Sequence, residues 1–200
     1  MAQHALLVLA HPRGDSLTAR IAHRTRERLA AAGYTVDLLD LYAEDFDPRT
    51  GPEDEPDWTD REKRYSPEVR AHMDRIVAAD VVVVVFPVWW FGLPAILKGW
   101  IDRVWNYGFA YGRSRPRLGA KRMLWLGLSS YSREEFAQRG WDTLLDRQLR
   151  VGISEFCGID DATVSLVHNS LSAGPQALTA ADATLTEFLP PPPGADSPAA

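Results

Sequence analysis

Along the chain, short uninterrupted apolar runs alternate with longer stretches in which apolar residues recur every three or four positions. This is the pattern of βαβ units around a parallel sheet. Residues 5–10, Ala-Leu-Leu-Val-Leu-Ala, contain no polar position and predict a strand covered on both faces. Leu17, Ile21, Ala22, Leu29 and Ala32 then fall near one helical face, and Gly33 is placed to close that helix. Residues 34–39 read as a second strand. From Glu44 to Glu62 the chain is acidic and broken by proline, which predicts a solvated surface excursion and not a helix. Ser66-Pro67-Glu68 is a helix start: serine caps, proline suits the first turn, and the acid meets the positive helix end. That helix is predicted to run to about Ala79. Five valines, 81–85, followed by Phe86 form the most strand-like segment of the chain. Pro94 opens a helix to about Trp105, and residues 122–127 form a fourth strand. A helix over 141–156 is expected to turn Leu144, Leu145, Leu149 and Ile153 to one face. Residues 162–167 form a fifth strand, and a last helix over 179–189 stops at four prolines. Residues 1–189 therefore read as one domain, and 190–200 as a Pro-rich disordered tail.

Five strands with intervening helices predict an α/β doubly wound five-stranded parallel sheet with helices on both faces, and the flavodoxin-like order 2-1-3-4-5 is one common form. In that order a crevice opens between strands 1 and 3 at their carboxyl ends, so chemistry is sought in the loops after Ala10, Phe86 and Leu126. The first loop leads directly into a helix. Free amides there form an anion site, with His11, Ser16 and Thr18 as side-chain donors to phosphate oxygens; the simpler alternative is a capped helix with His11 as a loop residue. The loop lacks the G-x-G-x-x-G and Walker patterns, which argues against a Rossmann dehydrogenase or a P-loop enzyme. The second loop, Pro87-Val88-Trp89-Trp90-Phe91-Gly92-Leu93-Pro94, places three aromatics in succession, which neither strand nor helix spacing turns to a single core. A flat conjugated ligand or a dimer contact would give them a partner, and the two are compatible. The third loop, from Gly127 to Ser132, offers hydroxyls and amides to the same ligand.

Composition narrows the choice. The formal charge is 22 − 27 = −5, which does not suit binding to nucleic-acid phosphate or an anionic membrane. Seven tryptophans, three of them in or near the uncharged run 81–97, invite a membrane reading. The run is shorter than the roughly 20 residues a span needs, and Pro87, Gly92 and Pro94 interrupt it. The lone Cys157 forms no intrachain disulfide, no Cys/His cluster has metal-ligand spacing, and the N-terminal segment lacks a basic leader, so a cytoplasmic location is expected.

The run from Phe86 to Tyr111, FPVWWFGLPAILKGWIDRVWNYGFAY, resembles the signature of the NAD(P)H:quinone oxidoreductase (DT-diaphorase) family, whose bacterial relatives include modulator of drug activity B. Ala10-His11 with Ser16, Asp40-Leu41-Tyr42, Phe46-Asp47-Pro48 and Phe156-Cys157-Gly158 extend the likeness over residues 5–170. The resemblance implies a flavodoxin-like fold, a homodimer with active sites at its interface, bound FAD and ping-pong, two-electron reduction of a quinone-like small molecule by NAD(P)H. Carried over residue by residue, His11, Ser16, Leu17 and Thr18 hold the flavin phosphate and ribityl arm. Pro87, Val88, Trp89, Trp90 and Phe91 line the ring, and Leu128, Ser129, Ser130 and Tyr131 cover its pyrimidine side. Tyr111 reaches the substrate pocket of the partner, where Trp90 and Phe91 also meet substrate. Where eukaryotic members place a Tyr and a His for charge relay, this chain has Arg133 and Arg139. An arginine does not relay protons at pH 7 but stabilises negative charge, so Tyr131 and Arg139 are the catalytic candidates. The chain is short after strand 5, which keeps FMN as the alternative cofactor. The rival reading is a regulatory or electron-carrier flavoprotein, such as an ancillary subunit of a potassium-efflux system; a third is a dimeric interaction protein without cofactor.

Overall fold

The computed structural model describes residues 3–113, 117–172 and 174–189. Five seven-residue strands, β1 (Gln3–Leu9), β2 (Tyr34–Asp40), β3 (Val81–Pro87), β4 (Arg122–Leu128) and β5 (Asp161–Val167), pair in parallel in the order β2-β1-β3-β4-β5. The order is the predicted one. The valine run explains why β3 is central. Val82 and Val84 face one core with Leu6, Val8, Phe86 and Trp125, while Val81, Val83 and Val85 face the other with Leu7, Leu9, Leu124 and Leu126. A strand buried on both sides has no polar position to spare.

Helices α1 (Leu17–Ala31) and α6 (Gly174–Phe188) cover the second core; α2 (Pro67–Ala78), α3 (Ala95–Val104), α4 (Arg133–Gln138) and α5 (Trp141–Asp146) cover the first. Ser16 caps α1 through its Oγ, which accepts the Ala19 amide at 3.1 Å, and Gly33 turns left-handed just past its end, as expected. Ser66 caps α2 in the same way. The first core holds three tryptophans in a chain, Trp100, Trp105 and Trp125, with ring centroids 6.0 and 6.4 Å apart. The indole N–H of Trp100 donates to His72 Nδ1 and that of Trp125 to Ser154 Oγ. Those bonds satisfy the polar atoms of Trp100 and Trp125, whereas the buried Trp105 Nε1 meets no acceptor among the described residues.

Four expectations change. The helix over 141–156 is not uniform: α5 gives way at Arg147 to a π-wound segment, Arg147–Ser154, and then to a short 3-10 turn, Glu155–Cys157. The wider winding turns Ser154 inward, where its hydroxyl donates to the Leu149 carbonyl at 2.9 Å and meets Trp125. Leu145 and Leu149 are buried, but Leu144 is 54% exposed. Helix α4, Arg133–Gln138, was not anticipated and is fixed by a capping box between Ser132 and Glu135. The last helix begins at Gly174 instead of residue 179. The acidic excursion is not simply solvated. A 3-10 turn, Pro52–Asp54, puts Asp54 at 0% exposure, paired to Arg103 at 2.8 Å and accepting from the Ser66 amide and hydroxyl. Arg103 also pairs with Glu68 at 2.9 Å, so the excursion is clamped to α2 and α3. The predicted tail, 190–200, lies outside the described residues.

Candidate functional site

The first three loops and a fourth meet at the carboxyl ends of β1, β3, β4 and β5, the position where doubly wound sheets bind ligands. They are stitched by backbone bonds: the Ala10 amide to the Val85 carbonyl (3.1 Å), Val88 to Leu128 (2.8 Å), Ser129 to Val167 (2.8 Å) and Ser170 to Ser129 (2.9 Å). A cleft of about 360 Å³ lies between the second and third loops, lined by Val88, Trp89, Trp90, Phe91, Ser129, Ser130, Tyr131 and Phe136.

The aromatic loop is a tight turn. Trp89 and Gly92 exchange amide–carbonyl bonds of 3.1 and 3.0 Å, and Trp90 and Phe91 between them both hold left-handed torsions, φ +51° and +57°. Trp90 is 97% exposed at the lip of the cleft. Phe91 turns inward and stacks on Trp141, centroids 3.7 Å apart and planes 21° from parallel. The amides of Trp90 and Phe91 meet no acceptor among the described residues. The turn thus presents an aromatic surface and two free donors.

On the first loop, His11 lies 6.0 Å from the Trp89 ring, half-buried. Its Nδ1 accepts the Arg13 amide at 3.1 Å, which places the proton on Nε2 and leaves that N–H free to donate. Burial holds its pKa below the ordinary histidine value. Ser16 and Thr18 are buried and Leu17 half-buried at the start of α1. The amides of Leu17 and Thr18 find no acceptor among the described residues, and the Ser16 hydroxyl, accepting from Ala19, retains its own O–H for donation. Pro87 and Leu128 are buried strand ends that carry the loops and do not line the cleft.

The two catalytic candidates come together through one residue. Tyr131 lies 5.2 Å from the Trp141 ring and 5.9 Å from Phe91, while the Arg139 guanidinium sits 5.0 Å from the Trp141 centroid. Arg139 therefore does not line the cleft; its cation–π contact is with Trp141, which stacks behind the lining residue Phe91. Tyr111 is not among the residues lining this cleft. It packs instead with Trp58, Tyr107 and Phe156 in a separate, partly exposed aromatic cluster, and burial raises its phenol pKa.

Sequence reasoning missed four contributors. Phe136 belongs to the unanticipated helix α4, and Trp141 opens the helix expected over 141–156 but was not assigned to the site. His168 and Asn169 follow β5, where His168 Nδ1 donates to the Tyr131 carbonyl at 3.3 Å and the Asn169 amide to the same oxygen at 3.0 Å. The strand order itself puts the loop after β5 beside the loop after β4, so a search of that fourth loop would have found them. Burial pushes the Cys157 thiol up to about 11, which leaves no reactive thiolate there. Among the described residues no group of three or more His, Cys, Asp or Glu is placed to hold a metal, and no helix is long and apolar enough to cross a membrane.

A five-stranded sheet in this order, with a cleft at the carboxyl ends of β3 and β4 next to the switch between β1 and β3, defines a doubly wound α/β protein of the flavodoxin type. A family model described as flavodoxin-like fold matches residues 3–189, and the chain belongs to that family. It is 44% identical over 165 residues to the uncharacterized NAD(P)H oxidoreductase YcaK of Escherichia coli (strain K12), covering 82% of this chain and 83% of that one. It is 38% identical over 124 residues to NAD(P)H dehydrogenase (quinone) 1 of Rattus norvegicus, over 54% of this chain and 45% of the rat protein. Among solved structures, an NAD(P)H:quinone oxidoreductase from Methanothermobacter marburgensis superposes with a TM-score of 0.82 at 25% identity, covering 92% of this chain and 95% of that one.

Proposed function

We propose that the protein is a flavin-dependent NAD(P)H oxidoreductase that reduces quinone-like acceptors by two electrons. The enzyme class follows from the relatives; the flavin rests on the cleft. The single observation that carries it is the turn at Trp90 and Phe91, which joins an aromatic surface to unpartnered amides at the sheet's switch point. A planar heterocycle with polar edges matches both halves of that turn, so the residues fit the group.

In this reading the Trp90 and Phe91 amides meet heteroatoms of the ring, and Ser129, Ser130 and Tyr131 close its other side. The His11 Nε2–H, the Ser16 hydroxyl and the first amides of α1 hold the phosphate arm. The chemistry a flavin supplies when bound is hydride acceptance from NAD(P)H and hydride donation to the acceptor, in ping-pong order. Negative charge that develops beside the cleft is met by fixed amide dipoles, by the Tyr131 hydroxyl as donor, and by Arg139 through Trp141. The reading includes a homodimer in which Tyr111 of one protomer lines the acceptor pocket of its partner; the exposed aromatic surface around Trp58 and Phe156 supports it. FAD is the first choice of cofactor and FMN the alternative.

Steady-state oxidation of NADH and NADPH with menadione as acceptor tests the reading. Turnover well above that of free flavin is expected. Turnover no faster than free flavin would favour the electron-carrier reading over the enzyme.

A further inference from the structure

The aromatic cleft is not the only concavity among the described residues. A groove of about 440 Å³ runs between the outer face of α2 and the segment after α3. Its walls carry Arg61, Lys63, Arg64, Arg70, Arg113 and Arg117, against two acids, Glu62 and Asp74. Six cations less two anions leave a local excess of four positive charges, on a chain whose net charge is −5.

Of the six cations only Arg113 pairs with a carboxylate, Glu62 at 2.6 Å; the other five have none within 4.0 Å among the described residues, so the positive charge gathered here is left largely uncompensated. They are held instead by neutral acceptors. Arg70 Nε donates to the Tyr65 carbonyl at 3.1 Å, and Arg61 Nε to the Tyr107 hydroxyl at 3.3 Å. Lys63 donates to the Glu55 carbonyl, and Arg113 to the carbonyls of Gly108 and Arg61. Such bonds fix a guanidinium or ammonium without neutralising it. Arg64 and Arg117 have no hydrogen-bond partner at all among the described residues.

The scaffold is stiff. At Gly108, φ +78°, an added Cβ would lie 2.2 Å from the Arg61 carbonyl, so the two walls touch backbone to backbone. The buried Asp54 anchors Ser66, and the Tyr65 hydroxyl donates to the Tyr107 carbonyl at 2.7 Å. Tyr65, Met73 and Phe109 give the groove a buried, largely apolar floor. Arg61, Lys63 and Arg70, held on neutral acceptors, and the two partnerless arginines, Arg64 and Arg117, surround a concave surface with positive charge suited to a polyvalent anion.

We propose that this groove binds an oligophosphate, free or carried on a nucleotide. Several planar guanidinium forks match the oxygens of linked phosphates, whereas a monovalent anion would leave most of the charge uncompensated. The apolar floor gives a base or ring somewhere to lie. The site is separate from the aromatic cleft and does not rest on the flavin reading.

Calorimetric titration of the full chain with sodium tripolyphosphate at low ionic strength is the test. Saturable binding is expected, weakening as salt is added. The double variant Arg64→Gln, Arg117→Gln removes two exposed side chains without partners, so its melting temperature and flavin content are expected to match the wild type. Its affinity is expected to fall about tenfold or more. Two further arms identify the source. ADP binding more tightly than tripolyphosphate assigns the groove to a nucleotide, and displacement of tripolyphosphate by NADPH assigns it to the phosphates of the electron donor. No saturable heat with tripolyphosphate, or equal affinity in wild type and double variant, would overturn the proposal.

Discussion

Trp90 and Phe91 hold a backbone conformation that costs a residue with a Cβ about 1–2 kcal/mol, and Trp90, being 97% exposed, recovers almost nothing by burial. Strain of this kind persists where function requires the side chain. Glycine at position 90 would release it, less the up to about 1 kcal/mol that glycine adds to the entropy of the unfolded chain. In the flavin-free protein Trp90→Gly is therefore expected to leave the melting temperature unchanged or raise it by up to about 3 °C. The same variant is expected to retain less flavin. A lower melting temperature together with unchanged flavin occupancy would show that the indole is a structural element. The sequence W-W-F marked this loop as a site because three neighbouring aromatics lack a common core. It could not reveal the left-handed turn, since turn chemistry places Gly or Asn at such positions and neither is present. His168 escaped notice for another reason: its contact with the Tyr131 carbonyl exists only once β5 is laid beside β4.

At the scale of elements, the strands were legible because continuous apolar runs admit one placement, inside a sheet covered on both faces. The segment after Trp141 was not, because the π-wound turn is set by Ser154 reaching the Leu149 carbonyl and Trp125, a contact no helical period encodes. Asp54 was read as solvated because its partner, Arg103, lies 49 positions away. Helix α3 shows how one residue seats an element. Gly99 faces the start of the acidic excursion, and an added Cβ would come within 2.4 Å of both the Cβ and the carbonyl oxygen of Pro48. Gly99→Ala should therefore push α3 away from that loop and loosen the Arg103 clamp to Asp54. Destabilisation of about 1–3 kcal/mol is expected in urea unfolding, although alanine is the better helix former. A gain in stability would mean that the loop moves freely and does not seat the helix.

Three histidines give the whole molecule a shared pH response. Burial is the largest influence on His11, His72 and His168, and it lowers the pKa of each below the ordinary 6.5. The unfolded chain then binds protons that the folded chain refuses, so stability is full above about pH 6.5 and declines as the pH falls toward the folded values. Asp54 behaves differently: burial opposes its ionisation, but Arg103 and Ser66 outweigh burial and hold it below the usual carboxylate range. Its contribution is lost only at more acid pH. The urea midpoint should drop between pH 7 and pH 5.5, and His72→Gln, which keeps an acceptor for the Trp100 indole, should flatten that drop. A midpoint that rises over this interval would contradict the assignment. The seven tryptophans, which first suggested lipid, serve several purposes: Trp100, Trp105 and Trp125 build the core, Trp58 packs with Tyr107 and Tyr111, Trp141 stacks beneath Phe91, and Trp89 and Trp90 rim the cleft. The central claim concerns that last pair, and the absorption spectrum of the purified, reconstituted protein tests it most directly. Uptake of about one FAD or FMN per chain, identified by chromatography of the heat-released cofactor, is the predicted result; a colourless protein that takes up neither flavin would contradict it.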